Sequence, residues 1–230
     1  MPLFSIESLP MFVSRICQRT TLMDPGDIES DEPVAWATVS GAQLGERHHH
    51  NFDWTDTLVS ASRFTAATIE SARFERVIFQ GCELSGVTFT DCIFRHCLIA
   101  DVKASSFLAF VDSDLDGLVM TKTSLDRLEI QQSKIGMVTI AESIVRELSF
   151  YQCEPFKRSG RVSLAQLELD AIAGLSDLRK SGVAVQVDGD LWRLLGDLYL
   201  KEQGLKEIAQ EDLLGVSESV IQALENIRPR

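Results

Sequence analysis

The sequence is short of the features by which many activities announce themselves. Its five cysteines (Cys17, Cys82, Cys92, Cys97 and Cys153) are odd in number and never form a C-x-x-C pair. That suggests neither a disulfide framework nor a zinc ribbon and makes a reducing cytoplasm the expected compartment. The opening Met-Pro-Leu-Phe-Ser-Ile-Glu has no basic region ahead of an apolar one, and no apolar run is long enough for a transmembrane helix, so neither export signal nor membrane span is expected. Phosphate-loop, dinucleotide, esterase-elbow, H-E-x-x-H and kinase patterns are all missing, and no enzyme is expected.

Basic charge is also scarce. Against 34 Asp and Glu stand 22 Lys and Arg, a formal net charge of −12. The acid is spread along the chain: residues 1–51 carry 3 basic and 7 acidic groups, 52–150 carry 9 and 14, and 151–230 carry 10 and 13. Nucleic-acid affinity comes largely from cationic side chains displacing counterions, so this balance argues against phosphate-backbone binding. A negative surface serves solubility first, and only in some proteins imitates DNA or attracts basic partners.

What the chain does have is a period of five. Val59, Phe64, Ile69, Phe74, Phe79, Leu84, Phe89, Phe94 and Ile99 follow one another in strict register. Two residues before each, from Phe64 onward, sits a small or modest side chain: Ser62, Ala67, Ala72, Val77, Cys82, Val87, Cys92 and Cys97. Neither a helix of period 3.6 nor an alternating strand produces this spacing. A square coil does, each pentad forming one side, four sides making a turn of roughly 20 residues, and turns stacking at about 4.8 Å. Residues twenty apart then touch: Phe74 on Phe94, Ile69 on Phe89, Phe64 on Leu84, Phe79 on Ile99. The position two residues earlier points inward near a corner, where a bulky group does not fit.

The register slips by one residue between Lys103 and Phe110, then resumes as Phe110, Leu115, Met120, Leu125, Ile130, Ile135 and Ile140. A bulge or small loop between Ala104 and Ala109 is expected. The smaller inward set then reads Leu108, Ser113, Leu118, Thr123, Leu128, Ser133 and Val138, less uniformly small, so this half is expected to be wider or distorted. Upstream the phase takes in Val34, Val39, Leu44 and Trp54 and misses at His49, which predicts a loop over residues 45–51. The expected organisation is an extended segment or cap over 1–33, a repeat domain over 34–150 with five to six coils, and a helical domain over 155–230.

Segments such as Ala72-Arg73-Phe74-Glu75-Arg76 and Cys82-Glu83-Leu84-Ser85-Gly86 resemble the pentapeptide-repeat family, whose consensus is A-(D/N)-L-x-x. The residue between the two inward ones is often neither Asp nor Asn (Arg63, Thr68, Arg73, Ile78), which makes the chain a divergent member. The resemblance implies a right-handed, quadrilateral parallel β-helix. It also implies that some relatives, similar to B-form DNA in width and charge, bind DNA gyrase or topoisomerase IV, confer quinolone resistance, and dimerise through C-terminal segments.

Beyond Tyr151-Gln152-Cys153-Glu154-Pro155 helical spacing takes over. Ser163 and Gln166 form a capping box opening a helix with Leu164, Leu167, Ile172, Leu175 and Leu178 inward until Gly182. A second helix is expected over 190–204, burying Leu191, Trp192, Leu195, Leu198 and Tyr199, and a third region over 206–214 turns through Gly215-Val216-Ser217 and continues over 218–227. This bundle should cap the solenoid or join two copies, because an uncovered last coil is a sticky edge.

Candidate sites are sparse. Adjacent histidines such as His48, His49 and His50 rarely converge on one ion, so a solvated loop is expected there. Cys82, Cys92 and Cys97 should pack in the small inward slots, and His96, just before inward Cys97, should face water. Asp112, Asp114 and Asp116 alternate along a coil as a solvated face. Residues 208–217 resemble a helix-turn-helix turn, but Ala209 stands six residues before Gly215 where that motif wants four, and Glu218 and Glu225 follow. The expectation is a non-catalytic protein-interaction scaffold with no cofactor or metal. An acidic DNA mimic acting on a topoisomerase and a nucleic-acid regulator working through the tail are its rivals.

Overall fold

The computed structural model describes residues 14–16, 21–23 and 33–188. Over them the chain winds as a parallel β-solenoid of about eight turns. Most sides in the first half are three-residue strands, such as Arg73–Glu75 or Ile78–Gln80. Arg73–Glu75 pairs in parallel with 53–55 before it and 93–95 after it, each twenty residues away. Four faces result. Their inward columns run through Trp54, Phe74 and Phe94 on the first face and Val59, Phe79 and Ile99 on the second. Phe64 and Leu84 lie on the third, and Ile69, Phe89 and Phe110 on the fourth.

The corners explain why the period is five rather than an ordinary strand length. Two residues after each large inward side chain the backbone enters the left-handed region: Asp56, Ala61, Ala66, Ser71 and Arg76 have φ of 51, 47, 51, 54 and 55°. A non-glycine residue there costs on the order of 1 kcal/mol, and stacking recovers it. Each corner amide donates to a carbonyl of the next coil, as in Asp56 N to Glu75 O at 3.0 Å and Arg76 N to Arg95 O at 2.8 Å. Turning and pairing are thus satisfied together.

Phe64, Ile69, Phe74, Phe79, Leu84, Phe89, Phe94, Ile99, Phe110, Leu115, Met120, Leu125, Ile130, Ile135 and Ile140 all lie inside, none more than 1% exposed. The smaller inward residues have a role beyond size. Ser62, Ser113 and Ser133 donate to the carbonyl two residues earlier at 2.9, 2.8 and 2.7 Å. Ser62 and Ser133 also accept from the amides of Ala42 and Ser113, both at 3.1 Å, one coil back. A hydroxyl there closes the corner's hydrogen-bond account, as buried polar backbone requires.

The slip after Lys103 is a bulge. Glu83 pairs with Lys103 but Val87 with Leu108, and the ladder to the next coil shifts between Ala104 and Phe107. A second irregularity, unmarked in the sequence pattern, sets Asp116 opposite Met137.

Three expectations are corrected. Residues 45–51 do not loop out as a block: His48–His50 is a strand paired with Thr68–Glu70, and His49 fills the inward slot at 6% exposure, stacked 6.0 Å from Phe52. The flat imidazole fits where an aliphatic side chain was anticipated. The coils do not stop near 150, and residues 163–173 are not helical. Gly160–Glu168 is a strand paired with 137–144 of the preceding coil, and Ala171–Ala173 pairs with 147–149. The reason is an insertion: pairing partners here are 24 apart instead of 20, with residues 156–159 accommodating the excess. Among the described residues after 150, helix is limited to the turn and a half Leu175–Lys180, after which Val183–Val187 rejoins the ladder beside Gly160–Leu164. The helices expected over 190–204 and 206–227, and with them the bundle, the helix-turn-helix-like turn and any C-terminal dimer contact, lie outside the described residues. Among the described residues no helix is long and apolar enough to cross a membrane.

Candidate interaction surface

With the large side chains turned inward, function falls to what points out. On the first face the outward column is Asp53, Arg73, Ile93, Asp114 and Lys134, and on the third Arg63, Glu83, Lys103 and Ser124. Opposite charges meet across coils. Arg63 Nε lies 2.7 Å from Glu83 Oε2, and Arg127 Nε 2.8 Å from Glu147 Oε2. Arg76 holds Asp56 through two bonds, of 2.7 and 2.9 Å, while also reaching Glu75. Arg73 and then Arg76 hold the Glu75 carboxyl below its usual range by hydrogen bonding, and Asp56 followed by Glu75 raises Arg76. Such exposed pairs add little stability singly, but they fix the long side chains in place and pair off part of the acid.

Shallow concavities interrupt this surface, two of them formed by described residues. One, lined by Ser106, Phe107, Asp126, Arg127, Arg146, Glu147, Asp170 and Ala171, sits on the bulged corner. The other runs past Ser71, Arg73, Asp91, Asp112, Asp114 and Lys134, with Ser71 Oγ donating to Asp91 at 3.0 Å. Asp112 is exposed there, with Asp114 and Asp116 half-buried.

The other singled-out residues are dispersed. His48 and His50 flank inward His49, and His50 Nδ1 lies 3.2 Å from Glu70. His96 is not fully solvated: it takes a corner with φ of 54° and is half-buried above Gly117, where an added Cβ would stand 2.8 Å from its Nδ1. Cys82, Cys92, Cys97 and Cys153 are buried free thiols; Cys17 lies outside the described residues.

Burial drives the thiols of Cys92 and Cys97 up to about 12, although both donate to carbonyls, Cys92 to Thr90 O and Cys97 to Phe74 O, each at 3.2 Å. The thiolate is the nucleophile, so at pH 8 a disulfide reagent should modify them no faster than the chain opens. Folded values above the ordinary 9.0 mean that this stabilisation is present below about pH 9 and is lost as pH rises toward 12. Above pH 9 stability should fall by about 1.4 kcal/mol per pH unit for each thiol, and Cys97→Ala should remove its share of that slope in alkaline denaturation.

One set escaped the sequence reading. Leu58, Ile78, Leu98 and Val119 occupy successive outward positions of the second face. The available signal was an apolar residue directly before a large inward one, recurring once per coil.

The family described as pentapeptide repeats matches residues 60–96 in eight copies. No curated protein matches. Among solved structures, a trypsin-treated variant of QnrB1, a plasmid-mediated fluoroquinolone resistance protein, shares 13% identity, covering 82% of this chain and 98% of that one at a TM-score of 0.38. Full-length QnrB1 gives 15% identity over 76% and 93% at 0.29. HetL, a pentapeptide repeat protein involved in heterocyst differentiation regulation from the cyanobacterium Nostoc sp. strain PCC 7120, gives 10% over 79% and 97% at 0.16.

Proposed function

We propose that this chain, a pentapeptide-repeat protein, is a non-catalytic scaffold that binds another protein through the outer wall of its β-solenoid. The observation that carries this reading is the cross-coil ion-pair network, in which Arg63, Arg76 and Arg127 each reach a carboxylate twenty residues away. Side chains already held need little ordering on association, so such a wall binds at low entropic cost. The same pairing weighs against the finer reading of a DNA mimic, which calls for an unbroken negative field. The net charge of −12 keeps that reading worth testing.

Cross-linking in cells followed by reconstitution with the purified partner tests the scaffold. The double variant Arg127→Glu, Arg146→Glu should weaken that complex at least tenfold while its melting midpoint moves by no more than a few degrees. A partner bound equally by the variant removes the bulged corner as the contact. In parallel, the chain should neither inhibit nor protect DNA gyrase or topoisomerase IV in a supercoiling assay, and should not shift duplex DNA at low salt. An effect on gyrase would replace the scaffold with the mimic, and a salt-sensitive DNA shift would replace both.

A further inference from the structure

We propose that the second face carries an apolar docking strip whose occupant is the chain's own N-terminal segment around Ile16. In this solenoid the side chains of a strand alternate in and out, so Ile78 points away from the core, beside inward Phe79. Yet Ile78 is 0% exposed, Leu98 3% and Val119 1%. Ile16, far away in sequence and itself 1% exposed, completes a separate apolar cluster with these three and Ala100, against which Leu58 and Met137 pack.

The strip is not a general property of the wall. Among the described residues the second face alone places four large apolar residues in succession, Leu58, Ile78, Leu98 and Val119, ending at Thr38 on one side and Thr139 on the other. No two large apolar residues stand in succession in the outward column of the first face (Asp53, Arg73, Ile93, Asp114) or of the fourth (Thr68, Thr88, Ala109, Glu129). Four residues spanning three coil steps make a strip about 14 Å long, suited to a short segment offering one or two large apolar side chains. It carries no charge, so what it recognises is apolar shape. Arg15, next to Ile16, stays exposed, giving the segment a polar back. Tethering holds the segment at an effective concentration of the order of millimolar, so it outcompetes a free segment of the same kind.

The test uses the full chain. Trypsin should cut after Arg15 at least about tenfold more slowly in the wild type than in Ile78→Asp, whose cleavage sequence is unchanged, because cleavage requires the segment to leave the strip. Ile78 points outward, so the melting midpoint should report an intact core; if Ile78→Asp proves unfolded by circular dichroism, Leu98→Ser takes its place. A labelled peptide with the sequence of residues 8–20, titrated to about 1 mM, should saturate Ile16→Asp one to one and bind the wild type at least tenfold more weakly. Equal cleavage in all forms overturns the proposal. So does a peptide that fails to bind Ile16→Asp, or binds it and the wild type alike. None of these outcomes depends on whether the wall has a protein partner.

Discussion

Phe74→Ala is expected to destabilise the chain by about 4 kcal/mol, toward the upper end for removing a buried ring. The Phe74 ring lies 4.9 Å from that of Phe94, 5.5 Å from Trp54, 5.7 Å from Phe79 and 5.8 Å from Phe89. It therefore joins the coil before, the coil after and two neighbouring faces. A solenoid is held by interfaces between successive coils, and this one substitution weakens two of them at once. Nor can the void close, because ladders of backbone hydrogen bonds fix the coil spacing. In urea, at a slope of about 2 kcal/mol per molar, the midpoint should fall by roughly 2 M. Ile144→Ala, on an outward side chain 44% exposed, should stay within about 0.5 kcal/mol. Comparable losses from the two would mean that the aromatic column is not the centre of the fold.

The centre of the fold was legible because its signal is redundant. Over residues 59–99 each pentad repeats the same pair of inward positions, and a coil must match the coil twenty residues away. The C-terminal end misled for an equally physical reason. Val162 with Leu164 and Leu167 with Leu169 keep the two-residue spacing of the inward pair, and all four are buried. Leu164, Leu167, Leu175 and Leu178, however, also fall on one face of a helix, and the excess at 156–159 breaks the phase that would have decided between the two. His49 departs from the expected loop because a period built on aliphatic and aromatic residues gives no sign that an imidazole can fill a slot. The outward strip on the second face was hidden differently. Leu58, Ile78, Leu98 and Val119 recur only once per coil, so their common face becomes visible only when the turns are stacked. The ion pairs Arg63–Glu83 and Arg127–Glu147 are likewise twenty residues apart. On this surface long-range register, rather than local motif, decides which groups meet.

Gly174→Ala should produce the second large effect and should express it locally. Gly174 precedes the helix Leu175–Lys180 with φ of +81°, and a Cβ there would stand 1.8 Å from Phe150 O and 2.8 Å from its carbonyl carbon. Backbone atoms cannot swing aside as a flexible side chain can, so the backbone around Gly174 must shift, at roughly 3 kcal/mol or more. Gly81→Ala is the control. Its φ is +62°, but nothing lies within 4 Å of the added carbon, so only the backbone preference is lost, about 1 kcal/mol. Gly174 lies near the C-terminal edge of the described coils, where only Val183–Val187 continues the ladder beyond it. A solenoid can open from an end without unfolding its middle, so the cost to the molecule cannot exceed the free energy of releasing that end. Hydrogen exchange should accordingly show protection lost at the amides of 183–187 while those of 73–100 keep theirs, and the main melting transition should move less than it does for Phe74→Ala. Uniform loss of protection along the chain would instead mean that the coils unfold as one cooperative unit, with the strand Val183–Val187 as much a part of it as the aromatic centre.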